Sequence, residues 1–79
     1  MENMSISETL KKVQKYYPAR PFMTTDVIGL YGDDGYDTTD TRVINTVSRH
    51  LMTLHKQRYL KVVEKIRTGG IKYIYMVRQ

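Results

Sequence analysis

Thr38 to Lys56 reads TTDTRVINTVSRHLMTLHK, and Tyr59 to Arg78 reads YLKVVEKIRTGGIKYIYMVR. The two segments have different periods. In the first, Val43, Ile44, Val47, Leu51 and Leu54 fall within a sector about 100° wide when each residue advances by one helical step, the apolar stripe of an amphipathic helix. Asp37 or Thr38 is placed to cap it, which predicts a long helix over about 38–56. In the second, runs rich in Val, Ile and Tyr over 59–67 and 71–78 flank Thr68-Gly69-Gly70, the pattern of two strands joined by a glycine turn. A long helix followed at once by a hairpin limits what the remaining residues can do.

Those residues precede it. Gly-Asp-Asp-Gly-Tyr-Asp, residues 32–37, is a turn by composition. Ahead of it a second helix starts at Thr24, whose hydroxyl can accept from the first turn, with Asp26 suited to the positive dipole end. Met23 and Ile28 stand where a hydrophobic staple would place them, and Gly32 closes the helix after about two turns. Ala19 to Met23 reads as extended, and residues 20–23 have room for a short third strand, with Pro21 blocking a second ladder bond. Ser5 and Glu8 form a capping box at the start of the first helix. Ile6, Leu10, Val13 and Tyr17 are its stripe, and Pro18 stops it. The expectation is a flexible tail at 1–4 and one α+β domain over 5–79, with three helices and a C-terminal two-stranded β-hairpin.

The length of 79 residues permits no second domain, since a chain this short buries only about three-fifths of the surface it exposes when unfolded. There are no cysteines, which excludes disulfides and thiolate metal sites and fits a reducing compartment. Apolar runs are too short for a membrane span, and the N-terminus lacks the basic-then-apolar pattern of a signal peptide. An intracellular, cytoplasmic protein is expected. The net charge of +5 conceals an asymmetry: residues 1–40 hold four basic and seven acidic residues, residues 41–79 nine basic residues and one acid, Glu64. Such an excess in one half suggests a face that meets a polyanion, although a solvated surface would also account for charge alone.

On a helical wheel centred on Val47, Asn45, Arg49 and Lys56 lie nearly opposite the core. Arg42, Thr46 and Thr53 flank them on one side, Thr41 and Met52 on the other. Arginine can pair bidentately with guanine in a major groove and asparagine with adenine. Threonines near the helix start suit phosphate oxygens. An ordinary surface helix would carry glutamates four residues before its lysines, and this one carries none. Lys65, Arg67 and Lys72 crowd the hairpin tip, where a basic loop can follow a phosphate backbone or enter a minor groove. Lysine on an edge strand also resists aggregation, so the tip alone has a second explanation.

Element order, the helix at 38–56 running straight into a hairpin, and the basic Thr-Gly-Gly tip together resemble the winged helix-turn-helix superfamily over residues 5–79. The resemblance implies a winged-helix fold in which 38–56 is the recognition helix, 24–31 braces it and 59–78 is the wing. It further implies that Thr41, Arg42, Asn45, Thr46 and Arg49 face a major groove, with Lys56 on the same helix and Lys65, Arg67 and Lys72 serving the wing. The turn Gly32 to Asp37 departs from the usual tight turn in being longer and acidic.

Other chemistry finds little support. Asp33, Asp34, Asp37 and Asp40 lack the spacing and distal Glu of a calcium loop and are better read as turn and cap residues. His50 and His55 point about 140° apart on a helix and cannot share a metal, and His50 falls at the core edge. Tyr59, Tyr73 and Tyr75 suit packing on a small core better than stacking on bases. No catalytic set, cofactor motif or small-molecule site is present, so an enzyme is not expected and no cofactor is implied. The expected function is sequence-specific binding of double-stranded DNA by a small transcriptional regulator. The alternatives are a module docking an acidic protein partner, or an RNA or single-strand binder. Strand 71–78 has a half-apolar second face (Ile74, Met76) on which a second copy could pair edge to edge as a homodimer.

Overall fold

The computed structural model describes residues 4–78. The chain folds as a small α+β domain with three helices and a three-stranded antiparallel sheet, in the order α1 (Ile6–Tyr16), β1 (Phe22–Met23), α2 (Thr24–Asp33), α3 (Thr41–Lys56), β2 (Leu60–Ile66) and β3 (Lys72–Val77). Helix α1 starts as its sequence dictates, with Ser5 Oγ accepting from the Glu8 amide at 3.0 Å. It ends one residue before Tyr17, whose amide closes on the Val13 carbonyl at 2.9 Å.

Helix α2 begins one residue differently from expectation. Met23 is the cap position and Thr24 the first helical residue. The satisfied donor is the Met23 amide, held by the Asp26 carboxylate at 2.8 Å. Gly32 does not end the helix. It lies inside it, where a β-carbon would come within 2.6 Å of Thr38 Cγ2, so it serves close packing of the following turn. The left-handed residue that stops the chain is Gly35, with φ 94°. There the Tyr36 amide donates to the Tyr31 carbonyl (3.1 Å) and the Gly35 amide to the Gly32 carbonyl (3.0 Å).

Helix α3 starts at Thr41, three residues later than the range 38–56 predicts. Its cap is Asp40, whose Oδ1 accepts from the Arg42 amide at 2.9 Å. Asp37 instead closes a local turn on the Thr39 amide (2.9 Å) and hydroxyl (2.6 Å). The far end does fall at Lys56. There the Tyr59 amide donates to the Leu54 carbonyl and the Arg58 amide to the His55 carbonyl, both at 3.0 Å, with Arg58 left-handed at φ 68°.

The sheet order is β1-β3-β2. It has three strands where a hairpin alone would give two, because part of the extended link at 20–23 adds to β3 through Phe22↔Tyr75 and Met23↔Ile74. Strand β3 is therefore central, which closes its edge at Ile74–Tyr75 and corrects the expectation of edge-to-edge pairing along 71–78. The long outer edge belongs to β2, irregular between Val62 and Glu64, as protected edges commonly are, and the two-residue β1 forms the opposite edge. Val43, Val47, Leu51 and Leu54 of α3 are buried, the last three in one cluster with Val13, Phe22, Val27, Tyr31, Leu60 and Tyr75, while Ile44 of the predicted stripe is half-buried against that cluster. Met4, assigned to the tail, packs against this core. Among the described residues no helix is long and apolar enough to cross a membrane.

Three helices also meet through a polar knot. Thr9 of α1 is fully buried, and its Oγ1 lies 2.5 Å from the Tyr31 hydroxyl of α2 and 2.8 Å from His50 Nδ1 of α3. Burial pushes the Tyr31 hydroxyl up to about 12, against the smaller opposing effect of its bond to Thr9. Burial, and then the charge of Arg49, hold His50 below its ordinary value. This places His50 at the core edge, half-buried, as the wheel indicates.

Candidate nucleic-acid interface

The outward face of α3 follows from what the core takes. Once Val43, Val47, Leu51 and Leu54 are turned inward, a period of 3.6 sends Thr41, Arg42, Asn45, Arg49 and Lys56 to the surface, and all five are exposed. Thr46 is half-buried and belongs to the flank rather than the centre of this face. Arg42, although highly exposed, turns back on its own cap: its guanidinium contacts the Asp40 carboxylate at 3.2 and 3.4 Å. That hydrogen bonding, reinforced by the Arg42 amide, holds Asp40 below the usual carboxylate range. Asn45, Arg49 and Lys56 have no such acidic neighbour among the described residues.

Lys65 ends toward the tip of β2, Lys72 starts β3, and Arg67 lies in the intervening loop, where Gly69 and Gly70 both take positive φ. All three cations are exposed. Lys65 Nζ stands 5.7 Å from the Tyr73 ring centroid, its register partner across the strands, so its stem is packed while its charge stays in water. A groove of about 360 Å³ connects helix and hairpin, lined by Ile44, Ser48 and Met52 of α3 and by Ile71, Lys72 and Tyr73. Thr24 and Thr25, at the start of α2, line the same groove. The tip end of the hairpin thus sits beside α3, with Lys72 lining the same groove as Ser48 and Met52.

The acidic turn between α2 and α3 is largely consumed by local bonds. Asp34 pairs with Lys12 of α1, Asp37 with Thr39 and Asp40 with Arg42. Lys12, 4.9 Å from the Tyr31 ring centroid and 4.0 Å from Glu8, is fixed against the helical base. Asp37 is held low chiefly by its bond from the Thr39 hydroxyl. The tyrosines divide in the same way: Tyr75 is buried and stacked on Phe22 at 6.0 Å, Tyr73 is half-buried, and Tyr59 is 49 % exposed. A buried Tyr75 cannot take a base on its face.

One group escaped the sequence reading. Of the nine basic residues after position 40, six lie on the α3 face or the hairpin tip; the other three are Arg58, Lys61 and Arg78. All three line a single open basin at the C-terminal end of α3, together with His55 and Lys56. The available signal was Gln57-Arg58-Tyr59 at a helix end, where glycine is the usual left-handed residue. Compared with known families, curated proteins and solved structures, the chain shows no significant match to any of them.

Proposed function

We propose that the protein binds double-stranded DNA sequence-specifically as a winged-helix domain and acts as a small transcriptional regulator. Helix α3 is its recognition helix and the β2–β3 hairpin its wing. The observation that carries this reading is the face Asn45–Arg49–Lys56, cationic and amide-bearing without a neighbouring carboxylate, beside a hairpin whose Lys72 lines a shared groove. Arg49 and Asn45 read base edges in the major groove, while Lys65, Arg67 and Lys72 hold the backbone. Arg42, engaged by Asp40, positions the helix start. Asp34 and Asp40 of the acidic turn carry cationic partners, Lys12 and Arg42, which lessens the repulsion that bare carboxylates there would exert on phosphates.

The test is selection of bound duplexes from a random pool, repeated at two salt concentrations. Recovery of a common sequence is expected. With about six phosphates contacted, affinity should fall by about a thousandfold between 50 and 200 mM salt. Arg49→Ala should relax specificity at one position by about 1–3 kcal/mol, whereas Lys72→Ala should weaken all sequences alike. No enrichment together with a flat salt response would refute the proposal.

A further inference from the structure

We infer that the basin formed by His55, Lys56, Arg58, Lys61 and Arg78 is a phosphate-binding site. It is an open concavity of about 480 Å³ with Leu60 as its apolar floor. Its four cations, Lys56, Arg58, Lys61 and Arg78, are all exposed, and among the described residues no carboxylate forms an ion pair with any of them. Glu64, the one acid after Asp40, sits on β2 opposite Ile74.

The helix dipole explains part of this cluster. His55 and Lys56 fall in the last turn of α3, where cations are favoured by the negative end. It does not explain the rest, since Lys61 comes from β2, Arg78 follows the end of β3 and Arg58 lies in the connection. The frame that gathers them is rigid. The Arg58 and Tyr59 amides close the helix end, the Arg78 amide donates to the Tyr59 carbonyl at 2.9 Å, and His55 Nδ1 lies 3.4 Å from the Leu60 carbonyl. Arg58 itself holds a left-handed backbone, φ 68°, that a side chain disfavours, and it is exposed. Strain at a residue whose side chain serves no packing points to a ligand. Arginine at that position offers a planar fork suited to phosphate oxygens.

The phosphate can come from a duplex backbone or from a small phosphate-bearing molecule; the structure favours the first, which rests on the DNA reading above. The seven residues of β2 separate the basin from the hairpin tip by roughly 20 Å, at about 3.3 Å per residue. That exceeds the roughly 12 Å width of a major groove, so cations at both ends reach the two phosphate strands that border it. Helix α3 borders both, lining the groove beside the tip with Ile44, Ser48 and Met52 and the basin with His55 and Lys56. The basin then grips one strand while the hairpin grips the other.

The experiment titrates the isotope-labelled full chain with pyrophosphate and, separately, with a duplex of about two helical turns, reading the backbone amide signals by NMR. Alongside it, Arg58→Gly/Arg78→Gln is compared with the wild type for duplex affinity across salt. Arg58→Gly relieves the backbone, so loss of binding cannot be put down to unfolding. Expected are duplex-induced shifts at Arg58, Lys61 and Arg78 as well as at Lys65 and Lys72. Removing two contacts should lower the salt loss between 50 and 200 mM from about a thousandfold to about a hundredfold. If the hairpin and Asn45 respond while the basin stays silent and the salt slope is unchanged, the inference falls and the DNA reading stands. If pyrophosphate moves the basin and the duplex moves nothing, the phosphate site stands and its duplex source falls with the DNA reading. Silence toward both ligands overturns both.

Discussion

Helices α2 and α3 end in the same closure. In each, two amides beyond the last turn return to carbonyls inside it, Tyr36 and Gly35 to Tyr31 and Gly32, Tyr59 and Arg58 to Leu54 and His55. In each, the residue three positions before the cap (Tyr31 or Leu54) is buried, and the residue after the cap is left-handed. At α2 that residue is glycine, for which the conformation is free; at α3 it is arginine, for which it costs about 1–2 kcal/mol. The surroundings differ in the same sense. The first end is acidic, with Asp34 paired to Lys12, Asp40 to Arg42 and Asp37 hydrogen-bonded by Thr39; the second is basic, with no acidic partner among the described residues. One end is resolved within the fold, and the other retains strain and charge, the signature expected where a ligand completes the structure.

The largest way to break this symmetry is at the anchor of the α2 end. Thr9→Val removes the shared partner of the Tyr31 hydroxyl and His50, and should destabilise by about 1–3 kcal/mol in urea unfolding. Nothing comparable exists at Leu54, whose anchor is apolar. Next is Gly35→Ala. A β-carbon there meets nothing within 4 Å, so the loss of about 1–2 kcal/mol is backbone strain alone. An unchanged midpoint would mean that the α2 turn relaxes at little cost. The reverse exchange, Arg58→Gly, should raise stability by about 0.5–1 kcal/mol, the relieved strain offset by glycine's larger unfolded-state entropy. Gain of stability with loss of duplex affinity would separate strain kept for binding from strain kept by chance.

The same comparison shows what sequence chemistry can disclose. Apolar stripes, the Ser5 cap and the Gly-Gly hairpin are local or periodic, and they were legible residue by residue. The start of α3 was not, because Asp37 and Asp40 each accept from the amide two residues on at 2.9 Å, and only the second bond opens a helix. A carboxylate that makes a turn and one that caps a helix carry the same sequence signal. Thr24 failed as a cap because the helix opens one residue earlier: Met23 is the cap position, its own amide held by Asp26, and Thr24 is already helical. Of the candidate interface, the α3 face and hairpin tip followed from a wheel and a turn. The basin did not, since Arg58, Lys61 and Arg78 are brought together only by the left-handed step after α3 and the pairing of β2 with β3.

The smallest effect concerns pH, and it tests whether the knot behind the α2 end is held by a neutral imidazole. His50 is depressed below its ordinary value of 6.5, first by burial and then by Arg49, with Glu8 acting weakly in the opposite direction. The folded chain therefore takes up its proton less readily than the unfolded chain. Its contribution to stability is complete above about 6.5 and declines as the pH falls through that value toward the folded-state titration. Partial exposure keeps the decline modest. Asp37 and Asp40, both held below the carboxylate range, titrate at lower pH and do not enter this window. Urea midpoints measured between about pH 7.5 and 5.5 should thus fall toward acid in the wild type and flatten in His50→Gln, whose amide can still meet Thr9. A slope that survives the substitution would show that the imidazole does not carry the proton linkage, and that the knot is held by Thr9 and Tyr31 alone.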